Sequence, residues 1–172
     1  TLREAATALH ERLQATGAIA NPERLSQRIN EMRGEDIVAL GERAFLMHFR
    51  TDAVRELAVT LGVAARDIAR ELGAEEVQHA RIALMLVAPP RLAARYLQVL
   101  GAVARLLSRP GTVEQMLAAP DAATLAALPA FAEVELPRQL AVGDIMTQRP
   151  RTATPDTTLR DAVLQTARGG IS

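Results

Sequence analysis

The sequence predicts an α/β fold, a small sheet wrapped in helices, followed by the opening β-α unit of a second module. Three features carry that prediction. Amphipathic helical segments open the chain, short apolar runs bounded by Gly or charge fill its middle, and a long helical stripe follows Pro89-Pro90. Strands between helical layers make a layered sandwich, because each apolar face must be covered by another element.

At residues 2–16, Leu2, Ala5, Ala6, Leu9 and Leu13 recur at three- and four-residue steps, one apolar stripe of a helix. Gly17 ends it. Asn21-Pro22-Glu23 then reads as an N-cap, a proline at the first helical position and a first-turn carboxylate. Leu25, Ile29 and Met32 continue this second helix to Gly34. Residues 37–40, 44–49 and 57–63 read as strands, with helix as the competing assignment because they are Ala-rich. Residues 77–88 give the strongest strand: Ile82, Leu84, Met85, Leu86 and Val87 lie in an apolar run stopped by Pro89-Pro90, as in a strand buried on both faces. A long helix follows, its stripe formed by Leu92, Tyr96, Leu97, Leu100, Val103, Leu106 and Leu107, and Pro110-Gly111 ends it. Short helices fit residues 112–119 and 122–128, with Asp121 capping the second. The domain boundaries expected are 1–130, a linker at 131–140, and a separate unit at 141–172.

Bulk properties exclude several functions. Formal net charge is zero, all basic residues are Arg, and aromatics make up 2%. A neutral chain without stacking platforms has no electrostatic footprint for nucleic acid, so none is expected as a partner. The chain has no Cys, which excludes disulfides, thiolate zinc sites and cysteine nucleophiles. His10, His48 and His79 lack the i, i+4 pairing of a helical metal site, so no metal is expected. Apolar runs are far shorter than the roughly 20 residues that span a bilayer. No secretory signal is visible, which suggests the cytoplasm. The start at Thr1 and the end at Gly170-Ile171-Ser172 suggest a piece of a longer polypeptide.

Two stretches resemble known families. Val142-Gly143-Asp144-Ile145-Met146-Thr147, Pro150, then Thr152-Ala153-Thr154-Pro155-Asp156-Thr157-Thr158-Leu159 and Asp161-Ala162 resemble the first part of a CBS repeat. Asp156 or Thr157 would cap the following helix, with Leu159, Ala162, Val163 and Thr166 facing inward. The chain stops before the central strands of such a repeat. No cofactor site is therefore expected within it, and an adenine nucleotide only if a complete CBS pair is present.

The longer resemblance, over about residues 1–135, is to the IIA domains of the mannitol/fructose and nitrogen-regulatory (type 2) phosphotransferase family. It rests on Arg33-Gly34-Glu35, on Leu40 through His48, on Arg50-Thr51-Asp52-Ala53-Val54, and on the run from Ile82 to Pro89. Tyr96 to Leu107 and Met116 to Leu128 continue it. The resemblance implies a small mixed sheet flanked by helices and a strand histidine, here His48, that takes a phosphoryl group from a carrier protein. Arg33, Arg43 and Arg50 are the candidate guanidinium partners, since a planar fork suits phosphate. The chain also departs from the family: Met47 stands before His48 where Pro is usual, Phe45 and Arg43 replace small neighbours, and Tyr96 replaces a second His.

These departures favour a cytosolic regulatory or sensory module of a larger protein, with a degenerate IIA-like domain, as in the regulatory domain of a bacterial membrane transporter or antiporter. Homodimerisation is expected with it, because half a CBS module leaves apolar surface exposed. The alternative is an active IIA phosphocarrier phosphorylated on His48. A strand histidine hydrogen-bonded to a neighbour is the reading of His48 that involves no chemistry.

Overall fold

The computed structural model describes residues 1–41, 43–72, 77–134 and 152–169. The chain divides into two units, residues 1–140 and 141–172, each described on its own. No helix among the described residues is long and apolar enough to cross a membrane.

The first unit opens with α1 (Leu2–Ala15). Thr1 and Glu4 form a capping box that satisfies the orphan donors of its first turn. Gly17, at φ 73°, carries the chain out of the helix in the left-handed region that disfavours side chains. In α2 (Pro22–Asn30) the Asn21 side chain accepts from the Arg24 N–H, as expected of an N-cap before a helical proline. A short 3₁₀ turn (Gly34–Asp36) leads into β1 (Ile37–Leu40), followed by β2 (Ala44–Arg50), β3 (Ala58–Glu71) and β4 (Val77–Ala88).

The sheet order is β1-β2-β4-β3. β1 and β3 run antiparallel to their neighbours, while β2 and β4 run parallel, so the sheet is mixed, as expected. Beyond it come α3 (Ala93–Ser108), α4 (Thr112–Ala118), α5 (Ala122–Ala126) and α6 (Pro129–Ala132). Asp121 caps α5 through the Thr124 N–H at 2.7 Å.

Each sheet face carries its own core. Alternation along β2 and β4 sends Phe45, Met47, Phe49, Met85 and Val87 toward α1 and α2. It sends Leu46, Ile82, Leu84 and Leu86 toward α3, where Tyr96, Val103 and Leu106 meet them. Burial on both faces explains why residues 82–88 read as one unbroken apolar run.

Several expectations need correction, the first being that the second helix ends at Asn30 and not at Gly34. The strand expected at 57–63 runs on to Glu71, past a register shift in which residues 64–67 stand opposite Arg81 alone. Arg81 supports that irregularity by donating to the Ala64 carbonyl at 3.0 Å. The helices expected at 112–119 and 122–128 end earlier, at Ala118 and Ala126. Helix α6 also occupies the first two positions of the expected linker, because Phe131 and Val134 pack on the α3-side core.

In the second unit, α7 (Leu159–Gly169) is capped by Thr158, whose Oγ1 accepts from the Asp161 N–H and donates to its carboxylate at 2.7 Å. The expected caps Asp156 and Thr157 do not serve; Thr157 Oγ1 instead accepts from the Thr154 N–H. Leu159 and Val163, expected to face inward, are 82% and 58% exposed. The strand-like motif at 142–147 lies outside the described residues, as does the expected linker from 135 on.

Candidate functional site

β2 and β4 run parallel, and their carboxyl ends open the sheet where ligands of α/β proteins bind. His48 is on β2 opposite Leu86 of β4, two residues before the end of the strand. Alternation puts it on the α3 side with Leu46, and it is half-buried. Its neighbours Met47 and Phe49 point to the opposite face and are fully buried there.

Helix α3 brings Tyr96 to the ring. The tyrosine hydroxyl lies 2.7 Å from Nδ1 of His48, and the two rings are tilted at 57° with centroids 5.9 Å apart. Tyr96 is 7% exposed, so its ring packs in the core while its oxygen faces the imidazole. The sequence places Tyr96 in the stripe of the long helix and in place of a second histidine. Its role as the partner of His48 was missed, because the two positions lie on different elements 48 residues apart.

Burial lowers the His48 pKa below its ordinary value; the Asp36 carboxylate works against that, and Arg50 and Arg28 reinforce it. Burial also raises the Tyr96 pKa above the usual phenol value, with Arg50 opposing and Asp36 assisting. The pair is therefore a neutral imidazole beside a neutral phenol at neutral pH.

Asp36 is the second residue the sequence did not single out. It is 5% exposed and paired with Arg28, at 2.6 Å and 3.3 Å, while accepting the Arg33 N–H at 2.9 Å. Arg28 also lies over the Phe49 ring at 5.7 Å, a cation–π contact that further fixes it.

The three candidate arginines separate. Arg50 shares the strand and face of His48, two residues on, about 7 Å between Cα positions. Its exposed guanidinium has no hydrogen-bond or ion-pair partner among the described residues. It lines a groove of about 420 Å³ with Arg24, Arg28, Thr51 and Asp52. Arg43 lies five residues before His48, about 16 Å along an extended chain, and is tied to Glu114 at 3.0 Å. Arg33 is exposed and contributes its backbone N–H to Asp36. So the structure keeps Arg50 two residues from His48 on the same strand, where its charge is felt by the imidazole, sets Arg33 beside the Asp36 turn, and ties Arg43 to Glu114.

The segment after β2 is pinned. Thr51 N–H donates to the Ala88 carbonyl at 2.9 Å, and Ala20 and Asn21 N–H groups donate to the Ala53 carbonyl at 2.8 and 3.0 Å. Arg24 and Asp52 pair across this junction at 2.7 Å. Arg50 therefore leaves a fixed backbone. Among the described residues, no three His, Asp or Glu side chains gather as a metal site.

The model of the family described as phosphoenolpyruvate-dependent sugar phosphotransferase system, EIIA 2, matches residues 1–128. The chain belongs to this family. No curated protein matches it at a significant level. The match ends inside the first unit, after α5, and covers the helical pair, the sheet, His48 and Tyr96. Of the departures noted in this EIIA 2 domain, Phe45 and Met47 turn into the α1–α2 core and Arg43 is held by Glu114. Tyr96 alone of them hydrogen-bonds the imidazole.

Proposed function

We propose that this EIIA 2 domain accepts a phosphoryl group on His48 from a phosphorylated carrier protein. The observation that carries the reading is a neutral, half-buried imidazole fixed through one nitrogen, with an unpaired guanidinium two residues away on the same strand face. A nucleophile needs a lone pair, so it must be deprotonated at working pH. Desolvation keeps His48 in that state. Phosphoryl transfer otherwise asks for positioning and for cations near the equatorial oxygens, and Arg50 offers a planar fork for them.

The degenerate reading rests on crowding around His48 and on the second imidazole that Tyr96 replaces. Phe45 and Met47 occupy the other side of the sheet, which answers the crowding, and the Tyr96 hydroxyl holds the imidazole where a second histidine is usual. Incubation with phosphoenolpyruvate and the general phosphotransferase proteins tests the proposal. Acid-labile label on the wild type that disappears in His48→Gln supports it; an unlabelled wild type, or label that survives His48→Gln, refutes it.

A regulatory setting is the second reading, and the two-unit organisation supports it. The CBS-like pattern after residue 141 and the exposed Leu159 and Val163 suit a piece that pairs with a further half-module or a second copy. In this reading phosphorylation of His48 in the cytosol reports carrier status to an attached machine, such as a membrane transporter. Adenine nucleotides added to the full-length protein should then raise its melting temperature, and no shift would count against a ligand-sensing pair.

A further inference from the structure

The tyrosine on α3 is buried in the core, yet its hydroxyl is turned to the imidazole of His48. Its hydroxyl is a single group that can donate or accept, placed 2.7 Å from one specific ring nitrogen of His48. We propose that Tyr96 is a positioning residue for phosphoryl transfer: it accepts the Nδ1–H of His48 in a hydrogen bond and so leaves Nε2 as the nitrogen that carries the lone pair. This rests on His48 being the phosphoryl acceptor.

The step balances simply. The Nε2 lone pair forms the new N–P bond while the N–P bond of the phosphorylated carrier breaks and returns its electron pair to the carrier. The Nδ1 proton stays where it is, shared with the tyrosine oxygen. The positive charge that develops on the ring is delocalised between its two nitrogens, and the hydrogen bond to the phenol strengthens as it grows. Return of the phosphoryl group runs the same path backwards.

Tyrosine differs from a second imidazole at this place in one respect that can be measured. The groups that act on His48 are Tyr96 of α3, hydrogen-bonded to it, and, through their charges, Asp36 of the 3₁₀ turn, Arg50 of its own strand and Arg28 of α2. Asp36 and Arg28 neutralise one another in a close ion pair, and burial keeps the phenol protonated well beyond neutral pH. That leaves His48, its pKa held below the ordinary imidazole value by burial, as the group of the site whose ionisation the labelling profile follows. An imidazole in place of Tyr96 would add a second such ionisation.

Three chains decide the matter: wild type, Tyr96→Phe and Tyr96→His, labelled by phosphoenolpyruvate with the general carrier proteins across the neutral pH range. The phenylalanine keeps the ring that packs in the core. We expect it to label about tenfold more slowly, the loss of one hydrogen bond, with little change in melting temperature. The wild-type profile should show one ionisation and Tyr96→His two. Long-range ¹H–¹⁵N spectra of the unphosphorylated chain should show the Nδ1–H tautomer of His48 in wild type, with the bias lost in Tyr96→Phe. Wild-type labelling rate in Tyr96→Phe, a lowered melting temperature as its only effect, or an Nε2–H tautomer in the wild type would each overturn the inference. If the wild type takes no label, the acceptor reading itself fails, while the tautomer spectra still report on Tyr96.

Discussion

The two faces of β2 are built from one seven-residue strand and do different work. Toward α1 and α2 it presents Phe45, Met47 and Phe49, all at 1% exposure or less. Toward α3 it presents Ala44 and Leu46 and then, as the strand ends, His48 and Arg50. The first face is apolar throughout and sealed. The second changes along its length, from core to a half-buried imidazole to an exposed guanidinium. A period of two lets a strand keep a rigid core on one side while a polar constellation emerges on the other. Substitutions on the two faces should therefore separate stability from chemistry.

The largest expected effect is on the α3 side: His48→Gln should abolish phosphoryl labelling while chemical denaturation changes by less than about 1 kcal/mol, as for a partly exposed polar site. Label retained at wild-type level would break the comparison. On the opposite face, Phe49→Ala should cost about 3–5 kcal/mol in urea denaturation, through lost burial and the cavity left. A cost under about 1 kcal/mol would mean that this face is not the close-packed one.

The arginines sharpen the same contrast. Arg50→Gln should slow labelling by about 10- to 100-fold, the weight of a charge-stabilising donor of roughly 1.5–3 kcal/mol. Arg43→Gln, which removes only an exposed ion pair with Glu114, should stay within about twofold of wild type. Equal losses in both would mean that long-range charge, and not placement beside His48, matters.

The smallest effect concerns pH. The folded state holds His48 below its unfolded pKa, so the unfolded chain binds more protons as pH falls through that window. Its effect on stability is nil above the unfolded value near 6.5. It grows as an added destabilisation as pH drops toward the depressed folded value. Stability of wild type minus that of His48→Gln, followed by denaturation from pH 8 downward, should decline below about pH 6.5; a flat difference would contradict the lowered pKa.

Much of the frame was legible because local chemistry and tertiary demand agreed. Asn21-Pro22 starts a helix, Pro89-Pro90 stops a strand, and the run at 82–88 is apolar on both faces because both are covered. The outer half of β3 was not legible. Residues 64–71 show little alternation, and what makes them a strand is pairing with residues 77–80 of β4. At the other end of the chain, Leu159 and Val163 follow a helical stripe that the described structure leaves exposed.

The site was legible only in part. The pattern around His48 and Arg50 marked both residues, since they sit two apart in one segment. It gave no weight to Asp36, set Phe45 beside the site, and did not show Tyr96 as the partner of the imidazole, because burial and facing decide what those residues do. A bulky neighbour in sequence intrudes on a site only if the strand turns it to the same side. Here it does not.

Peptide mapping of the phosphorylated chain is the most direct test. Digestion at neutral or basic pH, which preserves phosphohistidine, followed by fragmentation should place the phosphoryl group on the peptide that carries His48 and on neither His10 nor His79. Label on another residue, or none recovered from a chain mixed with active carrier proteins, would contradict the central claim.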